Sequence, residues 1–189
     1  MKRAVILHAM EQNSQGHWYQ WLKSELEQRG HAVWVPDLPH SDHPDTKEMT
    51  EFLLARNEWD FHDNLIIGHS SGSVEVLYLL QALPKLVKVK TAVMVSSFDR
   101  MVQGMEAQHD RIFTQAFDFE KIKTSAEKLL FVHGNNDPWC PLEGAQTLSQ
   151  ETDGELVAVP GGGHFSTSLD ARFTKFPELV KILEERDLL

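Results

Sequence analysis

A serine, an aspartate and a histidine, spaced in that order along this chain, have the side chains needed for acyl transfer. Ser70 lies in Gly68-His69-Ser70-Ser71-Gly72, Asp137 in Asn135-Asn136-Asp137-Pro138, and His164 in Gly161-Gly162-Gly163-His164-Phe165. A serine hydroxyl is a weak nucleophile until an imidazole takes its proton, and a carboxylate holds that imidazole in the productive tautomer. Glycines two residues before and two after Ser70 leave room around a serine forced into a strained turn. At a helix start, such a turn aims backbone N–H groups and the positive dipole end at charge developing near the serine. The N–H of Ser71 is one expected oxyanion donor, and the loop after the first strand supplies the other, Met10 or alternatively Ala9. Met10, Trp139 and Phe165 are expected to form an apolar acyl pocket, with Ala9 beside it among the substrate-contacting residues.

Each residue also has an ordinary reading. Asp137 before Pro138 suits a turn, and His164 follows a glycine-rich loop. Their positions relative to the strands decide the matter. Apolar runs mark strands at Arg3 to His8, His31 to Pro36, Leu65 to Ile67, Thr91 to Ser96, Lys128 to His133 and Glu155 to Pro160. Helical spacing marks segments near 15–29, 46–56, 74–83, 142–150 and 177–186. Strands alternating with helices and apolar on both faces predict a parallel sheet between two helical layers, with its site in the loops beyond the strands' carboxyl ends. Ser70, Asp137 and His164 follow the third, fifth and sixth strands, the chain order of the α/β-hydrolases. Asp99, after the fourth strand, is the rival acid. Residues 97–120 show no clean period and are expected to make only a helical excursion, too short for a cap domain.

Composition narrows the function. With 41% hydrophobic and 24% charged residues, the 189-residue chain reads as one globular domain over 1–189. A net charge of −10 argues against nucleic-acid or anionic-membrane partners, and no apolar run is long enough for a membrane span. Met1 to His8 is strand-like rather than a targeting signal. The single cysteine, Cys140, excludes an internal disulfide and suits a reducing cytoplasm; it reads as a half-buried structural thiol. His40-Ser41-Asp42-His43 lacks the three or four convergent ligands of a metal site, and the glycine run at 161–163 lacks the Gly-Lys-Ser/Thr ending of a phosphate loop. No metal or cofactor is expected.

Motifs along nearly the whole chain carry a resemblance. They are His17-Trp18-Tyr19-Gln20-Trp21-Leu22, Val35-Pro36-Asp37-Leu38-Pro39, Gly68 to Gly72, Phe117 to Ile122, Asn136-Asp137-Pro138 with Pro141, and Gly162-Gly163-His164-Phe165. In these the chain resembles the small YdeN-type serine hydrolases, a family that includes the vertebrate retinoblastoma-binding hydrolase. The resemblance implies a compact α/β-hydrolase lacking the first two strands of the larger fold, with strand order 2-1-3-4-5-6. It places the nucleophile on Ser70, the acid on Asp137 and the base on His164, without naming a substrate or a protein partner. The expected activity is hydrolysis of small carboxylic esters, with amides or thioesters as further substrates. A protein-binding module on a hydrolase scaffold and an acyltransferase are the alternatives. No Leu-x-Cys-x-Glu sequence surrounds Cys140, which argues against docking of the retinoblastoma kind.

Overall fold

The computed structural model describes residues 2–100 and 106–189. Its strands are β1 (Lys2–Leu7), β2 (His31–Trp34), β3 (Leu65–His69), β4 (Val89–Val95), β5 (Ala126–Gly134) and β6 (Glu155–Val159). All pair in parallel, in the order β2-β1-β3-β4-β5-β6 that the resemblance implies. Between them run α1 (Tyr19–Gln28), α2 (Thr46–Leu54), α3 (Ser71–Ala82), the short α4 (His109–Ile112), α5 (Phe119–Ser125) and α6 (Leu142–Glu151), and α7 (Pro177–Glu184) follows β6.

Successive strand side chains point to opposite faces, and here both faces are apolar. Ala4, Ile6, Ile67, Val93, Val95 and Val132 share a core with α1 and α7. Val5, Leu7, Ile66, Ala92, Met94 and Phe131 share the other with α2, α3, α5 and α6. Local signals bound the helices. Asp45 caps α2 by accepting from the N–H groups of Lys47 and Glu48, and Pro177 opens α7. Gly30, at φ +85°, turns the chain out of α1.

Several boundaries depart from the sequence reading, the start of β4 at Val89 rather than Thr91 among them. Helix α1 begins at Tyr19 rather than near Gln15, because the preceding residues form turns closed by Gly16 N–H on Asn13 and Tyr19 N–H on Gly16. Helix α5, absent from the sequence reading, is capped by the Asp118 side chain on Lys121 N–H, and β5 then starts at Ala126 rather than Lys128. The helical excursion expected over 97–120 is seen as a 3₁₀ turn at Glu106–Gln108 followed by α4; residues 101–105 of that segment lie outside the described residues. Ile112 of α4 packs with Val74, Tyr78, Phe98 and Cys140. Among the described residues no helix is long and apolar enough to cross a membrane.

One core group is chemically out of place. Glu75 of α3 is wholly buried; its Oε1 accepts from Thr50 Oγ1 at 2.7 Å, while Oε2 has no partner among the described residues. Burial pushes its carboxyl well above the usual range, against the smaller opposing effect of the Thr50 hydrogen bond. The unfolded chain releases this proton near pH 4.5 while the folded chain keeps it, so stability falls as pH rises above that value. Glu75→Gln retains the shape and an acceptor for Thr50, and should raise the thermal midpoint at pH 7 with a shrinking gain toward pH 4. Calorimetry at both pH values checks this; a lower midpoint at pH 7 would show that the carboxylate is satisfied and stabilising.

Candidate active site

Strand β3 delivers His69, Ser70 sits at φ +54° and ψ −121°, and α3 starts one residue later. A positive φ at a residue with a Cβ costs about 1–3 kcal/mol and persists only where its surroundings impose it. Here Ser70 N–H donates to Val95 at 2.9 Å and the Ser73 hydroxyl donates to the Ser70 carbonyl at 2.5 Å. The glycine spacing has a direct cause. A Cβ on Gly68 would overlap the backbone of Gly72 and Ser73, and one on Gly72 would stand 2.5 and 2.6 Å from the carbonyl oxygens of His8 and Leu7. The turn is therefore packed backbone to backbone against the end of β1.

That contact brings the loop after β1 beside the turn. The N–H groups of Ser71 and Met10 have no hydrogen-bond acceptor among the described residues. Ala9 N–H is engaged, donating to Tyr19 Oη at 3.0 Å. Of the two expected second donors, Met10 is thus the free one. Ser70 Oγ makes no hydrogen bond among the described residues, and the corresponding contacts in ligand-free sites often tighten only when substrate binds.

Asp137 follows β5 in a loop that its own carboxylate organises. Oδ1 accepts from the N–H groups of Trp139 and Cys140, each at 2.9 Å, and Oδ2 accepts from His164 Nδ1 at 2.7 Å. The Asp137 side chain is fully buried and that of His164 is 5% exposed. Burial opposes ionisation of Asp137, but the hydrogen bond and charge of His164, with the two backbone donors, outweigh it and hold the carboxyl below its ordinary value. An ionised Asp137 requires the proton on His164 Nδ1, which leaves Nε2 as the basic nitrogen. Asn135 and Asn136, unassigned in the sequence reading, tie the two loops by accepting from Gly161 N–H at 3.0 Å and Gly163 N–H at 2.9 Å. Asp99, the rival acid, faces Arg100 instead, at 2.7 and 2.5 Å.

A hydrogen-bond chain that sequence reasoning missed joins these parts. Ala9 N–H donates to Tyr19 Oη, Tyr19 O–H donates to His69 Nδ1 at 2.8 Å, and His69 Nε2–H donates to the His164 carbonyl at 2.8 Å. Burial, reinforced by the neighbouring histidines, keeps His69 neutral, as this pattern of one donor and one acceptor nitrogen demands. The available signal was a tyrosine at a core-facing helix position, since a buried phenol needs a partner. Tyr19→Phe should leave two buried groups unpaired and cost about 1–3 kcal/mol, read as a lower denaturant midpoint at unchanged slope. His8 makes a parallel tie, accepting Leu38 N–H on Nε2 at 2.8 Å and donating from Nδ1 to the Ala9 carbonyl at 2.9 Å. His17 packs edge-on to His69, and burial with the nearby His164 lowers its pKa to about 4.

The expected pocket residues separate. Trp139 is 45% exposed and its ring meets that of His164 at 4.9 Å. Phe165 corrects the sequence reading. It is fully buried, stacked on Phe176 at 4.5 Å and edge-on to Phe173, and its carbonyl accepts from Trp18 Nε1 at 3.0 Å. A side chain spent in the core anchors the His164 loop and has no face left for substrate. Cys140 is buried rather than half-buried, at 2% exposure, and burial together with the charge of Asp137 pushes its thiol well up, which keeps it protonated. His133 is a core histidine that donates from Nε2 to the Cys140 carbonyl at 2.9 Å. His40 and His43 are exposed beside Glu48 and Asp42.

Comparison with known proteins sets this geometry in context. A family model described as serine hydrolase matches residues 4–185. The YdeN hydrolase of Bacillus subtilis (strain 168) is 27% identical over 184 residues, covering 96% of this chain and 94% of its own. The serine hydrolase RBBP9 of Rattus norvegicus is 23% identical over 168 residues, covering 88% and 84%. The crystal structure of the ydeN gene product superposes with a TM-score of 0.89 at 24% identity over 98% of both chains. Est1E from Butyrivibrio proteoclasticus shares the fold at a TM-score of 0.74 and 19% identity, covering 99% of this chain and 87% of its own.

Proposed function

This chain belongs to the serine hydrolase family, and we propose that it cleaves small carboxylic esters through an acyl-enzyme formed on Ser70. The observation that carries the reading is the buried 2.7 Å hydrogen bond from His164 Nδ1 to Asp137, in loops tied to the strained Ser70 turn. His164 Nε2 takes the Ser70 proton as Oγ attacks the ester carbonyl. The oxyanion then accepts from the N–H groups of Ser71 and Met10, each such donor contributing about 2.7–4 kcal/mol of transition-state stabilisation. Collapse of the tetrahedral intermediate expels the alcohol, which receives the proton from Nε2. Water, deprotonated by the same nitrogen, attacks the acyl-enzyme and frees the acid and Ser70. Trp139 supplies an apolar surface beside His164 for a short acyl or alcohol group.

Intact-mass labelling with a fluorophosphonate tests the reading. One adduct on the wild-type protein, mapped to Ser70 and absent from Ser70→Ala, is expected, followed by turnover of short-chain esters above the matching amides. A folded wild-type protein that takes no adduct would overturn it.

A further inference from the structure

Cys140 has no part in that cycle, yet its sulfur lies among the groups that carry it. Cys140 Sγ, a carboxylate oxygen of Asp137 and a ring nitrogen of His164 all stand within 4.8 Å of one another. One thiol, one imidazole and one carboxylate are the donor types of zinc and its neighbours, with metal–ligand bonds of about 2.0–2.3 Å. Tetrahedral bonds of that length place ligand atoms about 3.5 Å apart, so the thiol closes by no more than about an ångström while the 2.7 Å contact between His164 Nδ1 and Asp137 Oδ2 opens by nearly as much. The two loop ligands are already fixed. Asp137 Oδ1 is held by the N–H groups of Trp139 and Cys140, and the Cys140 carbonyl by His133. That leaves the thiol and the hydrogen-bonded pair of Asp137 Oδ2 and His164 Nδ1 to rearrange around an ion.

We propose that Asp137, Cys140 and His164 form an inhibitory site for a thiophilic divalent cation of the zinc class. The ion enters between His164 Nδ1 and Asp137 Oδ2 and takes Cys140 Sγ as its third ligand. The thiol proton leaves to solvent. The Nδ1 proton is displaced and Nε2 becomes protonated, so the ring stays neutral and one proton is released per ion, with no change of oxidation state. A His164 protonated on Nε2 cannot accept the Ser70 proton, and hydrolysis stops. The block on turnover rests on the function proposed above; the binding rests on the three ligands alone.

Two measurements on the full chain separate those parts. The first is Zn²⁺ titration of ester turnover in the wild type, Cys140→Ser and Cys140→Ala, each scaled to its own metal-free rate and reversed with chelator. The variants should need at least about tenfold more Zn²⁺ for half inhibition, the loss of a ligand or its support costing 10–100-fold in affinity. The second is Co²⁺ binding by absorption, with one ion per chain and a thiolate-to-cobalt charge-transfer band in the wild type that both variants lack. Equal Zn²⁺ sensitivity in all three proteins, or cobalt binding without the thiolate band, overturns the site. A chain that shows the cobalt band but hydrolyses no ester keeps the metal site and sinks the proposed activity instead.

Discussion

Ser70→Ala should lower turnover of a short-chain ester about 10⁶-fold, and adding His164→Ala should cost little more. The reason lies in the shared proton. In the proposed cycle His164 Nε2 takes the proton of the Ser70 hydroxyl, so once that hydroxyl is gone the imidazole has nothing to activate. The residual rate then comes from the proposed oxyanion donors, the N–H groups of Ser71 and Met10, neither of which has an acceptor among the described residues. Alanine at position 70 must still adopt φ +54°, so a thermal midpoint belongs beside the kinetics to show that the turn survives. A single mutant that retains about a hundredth of wild-type turnover, or a double mutant about a thousandfold below the single one, would mean that the two residues do not act as a unit.

Asp137→Asn should cost about 10⁴-fold in turnover with little change in fold. The asparagine oxygen can still accept from Trp139 and Cys140, whose N–H groups meet Oδ1. Its amide NH₂ then occupies the place of Oδ2 and faces His164 Nδ1, now 2.7 Å from that oxygen. Two donors cannot share that contact, so the imidazole takes the tautomer with its proton on Nε2, where it cannot serve as base. Asp99→Asn loses only the contact with the exposed Arg100 and should stay within a few fold of wild type. Steady-state kinetics on both variants decides the acid; the reverse ranking would move that role to Asp99.

What the sequence discloses here follows its physics. The six strands are legible because a parallel strand covered on both faces is apolar at every position, as Ile66, Ile67, Val93 and Met94 are. The Ser70 turn is legible because its glycines answer a steric demand that leaves a fixed spacing. Which of the Ala9 and Met10 N–H groups stays free is not legible, since it depends on where Tyr19 Oη lands, ten residues on from Ala9. Phe165 is misplaced for a similar reason. Its position beside His164 suggests a pocket, while Phe173 and Phe176, which claim its ring, lie in a stretch before Pro177 to which the sequence pattern assigns no element. The boundary of α1 shifts because turn hydrogen bonds at Gly16 and Tyr19 compete with the helical spacing of Trp18, Trp21 and Leu22.

The anchoring of Phe165 by Phe176, with α7 packed behind it, has a consequence in the order of synthesis. Ser70, Asp137 and His164 are all present in a growing chain that has reached residue 170, but the aromatic stack that seats the His164 loop needs Phe173 and Phe176, and the core behind it needs Leu179 and Leu183. Such a chain holds the three proposed catalytic side chains and lacks the aromatic packing that seats the His164 loop. On the proposed function, reactivity toward acyl groups therefore waits for the emergence of α7, a helix that contributes no reactive atom of its own.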